Sequence, residues 1–87
     1  MTKQDFGDLI ISFTDDFYRI AKAILKEDAD CEDAMSSAIV KGFSKLHTLK
    51  KQEYAYFLFI HLLLENQNVQ LYVKQSISVF SFQNRNH

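Results

Sequence analysis

Two runs in this 87-residue chain have the residue types and spacing to do chemistry. The first is acidic, Glu27-Asp28-Ala29-Asp30-Cys31-Glu32-Asp33; the second is aromatic, Tyr54-Ala55-Tyr56-Phe57-Leu58-Phe59, with His61 two residues on. Clustered carboxylates can hold a cation, move protons or meet a basic partner. Aromatic rings can stack on bases or fill a core. Enzymatic chemistry finds little support, because His47, His61 and His87 fall on different expected elements and no pair of them has the i, i+4 spacing, with carboxylates, that a helical metal site would use. Asp15-Asp16 and Asp28/Asp30 have no accompanying base, phosphate loop or nucleophile motif, and read as solvated helix face and cap. We therefore expect no catalysis, no metal and no cofactor.

The elements that must position these runs are helices. Apolar residues at Phe13, Phe17, Ile20 and Ile24, then at Ala34, Met35, Ala38, Ile39, Gly42, Phe43 and Leu46, follow three-and-four spacing on either side of the acidic turn. Asp30 is the expected cap of the second helix, with Glu32 and Asp33 in its positive first turn; Thr2 is the expected cap of the first. The predicted fold is all-α: a small bundle of three helices over 3–26, 30–47 and 52–68, with Thr48-Leu49-Lys50-Lys51 as connector. The third helix is apolar almost all round, so it is either sandwiched or shows part of its surface to a partner. Gly42, on the apolar stripe of helix two, reads either as a close helix approach or as a tolerated small residue.

Residues 1–68 form the expected domain, and 69–87 an irregular or frayed tail. In the tail, Ser76-Ile77-Ser78-Val79-Phe80-Ser81-Phe82 alternates at the strand period, yet a single strand is not stable in water. The longest apolar run, Tyr54–Leu64, is too short to span a bilayer, which takes about 20 residues. With no basic leader and a lone Cys31, the chain is expected in the cytoplasm and off the membrane. Charge is uneven: residues 1–47 hold nine acids and six bases, residues 48–87 two acids and four bases. The net charge of −1 provides no general pull toward phosphate.

Phe17-Tyr18-Arg19-Ile20-Ala21-Lys22-Ala23-Ile24-Leu25, the acidic turn, and Cys31-Glu32-Asp33-Ala34-Met35-Ser36-Ser37 together resemble region 2 of the extracytoplasmic-function (ECF) branch of bacterial sigma factors, over roughly residues 9–65. That family carries Gln-Glu where this chain has Ser36-Ser37. The resemblance implies transcription initiation: docking of helix two on the β′ clamp helices of RNA polymerase core. The implied polymerase-binding residues are Asp30, Glu32, Asp33, Met35, Ser36 and Ile39. In the family the third helix holds bases of the melted promoter, which assigns promoter DNA to Tyr54, Tyr56, Phe57, His61 and Glu65. Here the family's Trp is Leu58, its Arg is His61 and its Asn is Glu65, and 52–73 contains no Lys or Arg. Stacking groups are kept and cations lost. Nothing after residue 75 resembles a helix-turn-helix, so a separate promoter-reading, region-4-like subunit or an anti-sigma protein is an expected partner. The alternative is a helical interaction module that does not bind DNA, a decoy or a truncated sigma paralogue.

Overall fold

The computed structural model describes the backbone of residues 1–85 and side chains through residue 78. The order is α1 (Lys3–Leu25), α2 (Asp28–Ser44), two single 3₁₀ turns (Leu46–Thr48 and Gln52–Tyr54), α3 (Ala55–Leu64) and α4 (Gln67–Arg85). No strand occurs among the described residues.

Helix α1 starts where a capping box closes. The Asp5 amide donates to Thr2 Oγ1 (3.0 Å) and the Thr2 amide to Asp5 Oδ2 (3.3 Å), so two amides that the helix leaves without partners are satisfied. It ends at Lys26, which has φ 69° and lies in a γ-turn, with the Glu27 amide donating to the Leu25 carbonyl at 2.7 Å. Three residues hold that tight reversal in place. Lys22 Nζ donates to the Lys26 carbonyl and to Asp28 Oδ1, both at 2.6 Å, and the Tyr18 hydroxyl donates to the same Asp28 oxygen at 2.9 Å. The start of α2 therefore differs from expectation. It begins at Asp28, and its preceding residue, Glu27, makes no side-chain cap. Asp30 is not the cap but a half-buried residue of the first turn, because the ties on Asp28 already fix where the chain re-enters a helix.

The core runs through all four helices. Helix α1 buries Phe6, Ile10, Phe17, Ala21 and Leu25, so its stripe is rotated from the one expected: Ile20 and Ile24 are half-buried and Phe13 is exposed. Helix α2 buries the small residues Cys31, Ala34, Ala38 and Gly42 together with Met35, which brings its backbone close to α1 and α3. Phe6 fills the resulting gap. A Cβ on Gly42 would run into the Phe6 ring, lying 2.7 Å from Cε2 and closer still to Cζ, so the glycine is required by close approach. Around it, Phe6 meets Phe43 edge-on at 5.0 Å, and Phe17 stacks on Phe59 at 4.3 Å. Helix α3 buries Ala55, Phe59, Leu62 and Leu63 and exposes Tyr54, at its entry, with Phe57 and Leu64. It is both sandwiched and surface-forming.

Two expectations about the C-terminal part are corrected. The third helix does not run to residue 68 but stops at Leu64, and the stretch read as an irregular or frayed tail is helix α4 to Arg85. Asn66 divides them. It is buried, its Oδ1 accepts the Asn68 amide at 2.9 Å, and its carbonyl accepts the Gln70 amide at 3.0 Å, so it starts a new helix without Pro or Gly. The strand-period alternation of 76–82 does not prevail, because a lone strand has no partner for its amides whereas a helix satisfies its own. Beyond Val69 every residue of α4 with a described side chain is exposed. The radius of gyration is 15.3 Å over extents of 53 × 26 × 17 Å, against about 12 Å for a compact chain of this length. The helix projects from the bundle.

Candidate functional site

Two surfaces hold the residues singled out in the sequence. The first lies on α2, whose small buried face turns the opposite side to solvent. Glu32, Asp33 and Ser36 are exposed together, at the three-and-four spacing that forms one strip. Val40, one turn further, is 70% exposed; it lies off the apolar stripe and was not singled out in the sequence. Met35, assigned to this face, is instead buried among the core residues. Ile39 is half-buried, so only its edge reaches the strip. Asp30 faces elsewhere, lining a shallow groove with Leu25, Asn68, Leu71, Tyr72 and Gln75. The Asn68 amide group reaches Asp33 Oδ2 at 3.5 Å, which ties the acidic turn to the start of α4.

Electrostatics at this end centre on Asp28. The Lys22 ammonium and the Tyr18 hydroxyl, both donating to its carboxylate, hold its pKa below the usual carboxylate range. The same contact raises Lys22 and raises Tyr18. The Lys22–Asp28 pair is open to solvent, so the arrangement positions the turn more than it stores energy. Cys31 is fully buried, and burial pushes its thiol up, away from reactive thiolate.

The second surface is the outer ridge of α3. Tyr54, Phe57, His61 and Glu65 are all exposed, Phe57 at 67%, and follow the helical repeat along one side. Tyr56, assigned to the same role, does not belong to that ridge. Its ring is half-buried and set against Phe13 (5.1 Å), Phe17 (5.0 Å) and Phe57 (5.7 Å), which occupies it with packing. His61 Nε2 lies 2.6 Å from Glu65 Oε1, so the imidazole is turned toward an acid. At the other end Lys51 Nζ stands 5.9 Å from the centre of the Tyr54 ring. This cation comes from the connector and not from the helix. A count of charges within 52–73 could not find it, although Lys50-Lys51 directly precede the aromatic run.

Among the described residues no group of three or more His, Cys, Asp or Glu side chains is placed to hold a metal, and no helix is long and apolar enough to cross a membrane. Comparison with protein-family models, with curated proteins and with solved structures finds no match to this chain.

Proposed function

We propose that the chain is a sigma-like docking domain that lies against a basic helical surface, the β′ clamp helices of RNA polymerase core, through the outer strip of α2. The observation that carries this reading is the joint exposure of Glu32, Asp33 and Ser36 with Val40 on one side of α2, while the other side is committed to the core. Two carboxylates beside an exposed apolar side chain suit a cationic amphipathic partner: the charges steer approach and the apolar contact holds it. Asp28, fixed by Lys22 and Tyr18, keeps the strip in register with α1. Purified protein should bind a β′ clamp-helix fragment, more weakly as salt rises. Asp33→Lys should weaken binding several-fold with the helical circular-dichroism signal unchanged, and Val40→Ser should weaken it further. No binding at tens of micromolar (a weak-complex range), or a charge reversal without effect, removes this reading.

A second reading, an interaction module that does not bind DNA, is favoured by one feature of α3. Glu65 sits beside His61 on the outer ridge and opposes phosphate there, while a cation is supplied only at the Tyr54 end. The readings share the α2 face and differ in nucleic acid. Single-stranded oligonucleotide binding that falls on Phe57→Ala and Lys51→Glu supports a promoter-contacting role; polymerase binding without oligonucleotide binding supports the module.

A further inference from the structure

The net charge of −1 conceals two poles. The tight turn after α1 sends α2 back along it, so the start of α1 meets the end of α2: a Cβ on Gly7 would lie 4.0 Å from Phe43 Cζ, and Lys3 and His47 line one open pocket of about 440 Å³ with Phe43, Leu46 and Leu49. Lys41 and Lys45 stand four apart at the end of α2, and Lys50 and Lys51 directly follow Leu49 in the connector. All of these lysines are exposed. None of them enters an ion pair among the described residues, and no Asp or Glu falls between Asp33 and Glu53. The acids nearest in the chain are Asp5, engaged in the capping box, Asp8, which accepts from Gln4 at 3.5 Å, and Glu53. Glu27, Asp28, Asp30, Glu32 and Asp33 gather at the other end of α2, about 25 Å away for a helix of 17 residues.

We propose that this basic end is a sequence-independent phosphate track for single-stranded nucleic acid, whose bases stack on Tyr54 and Phe57. These two rings are 49% and 67% exposed, three residues apart, and follow directly on Lys50-Lys51, with Lys51 Nζ 5.9 Å from the centre of the Tyr54 ring. Backbone cations and stacking rings therefore occupy consecutive turns. The cations suit phosphate and the rings suit an unpaired base; a duplex keeps its base faces stacked, and an acidic peptide has none to offer. An anionic bilayer fits less well, because the apolar residues set among the lysines, Phe43, Leu46 and Leu49, are buried or half-buried. The track lies on the connector and the helix ends, elements to which the sigma resemblance assigns no nucleic-acid contact. It rests on the α3 ridge being open to bases, as in the promoter-contacting reading, and not on the α2 docking strip. In a single strand each neutralised phosphate contributes about 0.7 to the salt slope, which is roughly eightfold in affinity between about 1 M and about 50 mM salt. Lys3, Lys41, Lys45, Lys50 and Lys51 together set an upper slope of about 3.5.

The test is fluorescence anisotropy of labelled oligothymidylate and oligouridylate titrated with the full chain over a range of salt. At least one strand should bind, and the tighter of the two identifies DNA or RNA. Lys50→Gln with Lys51→Gln should lower affinity at about 50 mM salt at least about tenfold and reduce the slope by about 1.4, and Lys41→Gln with Lys45→Gln should do the same. Phe57→Ala should lower affinity about fivefold or more at unchanged slope, because it removes a stacking face and no charge. Lys26→Gln, at the acidic end and beyond a Debye length, should change affinity less than about twofold. All these positions are exposed, so the helical circular-dichroism signal should hold in every variant. No binding of either strand at roughly hundreds of micromolar, equal loss on Lys26→Gln, or Phe57→Ala without effect overturns the proposal. Vesicles of anionic phospholipid or polyglutamate bound more tightly than either strand at the same salt also overturn it, by giving the basic end to a membrane or to an acidic protein. Clamp binding through α2 is scored separately by Asp33→Lys, so either assignment can fail alone.

Discussion

Gly42→Ala is the sharpest probe of how this bundle is packed. In an exposed helix, replacing Gly by Ala stabilises by roughly 1 kcal/mol. Here the added methyl would stand 2.7 Å from Phe6 Cε2 and closer to Cζ, so the ring must retreat by about 0.8 Å or more to reach ordinary carbon contact near 3.5 Å. Phe6 has nowhere to go: it is fully buried, edge-on to Phe43 at 5.0 Å and 6.4 Å from Phe59. Overpacking of this kind costs about 1–3 kcal/mol, which outweighs the propensity gain and leaves a net loss of up to about 2 kcal/mol. For a domain of this size, each kcal/mol lowers the thermal midpoint by about 4–8 °C. Urea and thermal denaturation followed by circular dichroism measure it directly. The decisive control is a double-mutant cycle with Phe6→Leu, which shortens the opposing side chain. The two changes should be less damaging together than the sum of each alone, with a coupling of at least about 0.5 kcal/mol. If Gly42→Ala stabilises, or the cycle shows no coupling, α2 does not approach Phe6 as described and the core argument fails.

Asn66→Ala should cost about 1 kcal/mol and reduce amide-exchange protection at Asn68 and through the first turn of α4, because the start of that helix loses its cap; unchanged protection there refutes the assignment. The pH dependence of stability follows from the Asp28 contacts. Its folded pKa is depressed, so its contribution is present above the unfolded value near 3.9 and is lost as pH falls through the folded one. Lys22 and Tyr18 are raised, so theirs are present below their unfolded values near 10 and are lost as pH rises through the folded ones. Denaturation midpoints of Asp28→Asn and wild type should therefore converge at low pH, and midpoints that stay parallel to the acid limit would show that Asp28 holds no such contact.

The sequence by itself determined that the fold is helical, where α1 begins, and that the two helices meet at an acidic turn, because these depend on contacts within a few residues: periodicity, the Thr2–Asp5 capping box and the charges around Asp28. Of the six residues the resemblance assigned to one docking face, only Glu32, Asp33 and Ser36 are exposed together on one strip, since spacing along a helix decides which residues share a face. Only the tertiary structure decided which apolar residues are core. On α1 Phe6, Ile10, Ala21 and Leu25 went inside with Phe17 while Phe13 stayed exposed, because the angle at which α2 and α3 meet α1 selects the face. Tyr56 was withdrawn from the ridge by rings contributed from α1. The role of Gly42 required Phe6, thirty-six positions away, to be brought against it. The form of the C-terminal segment depended on pairing: its strand-like alternation had no second strand to meet, so the helix started by Asn66 was the one arrangement that satisfied its own amides.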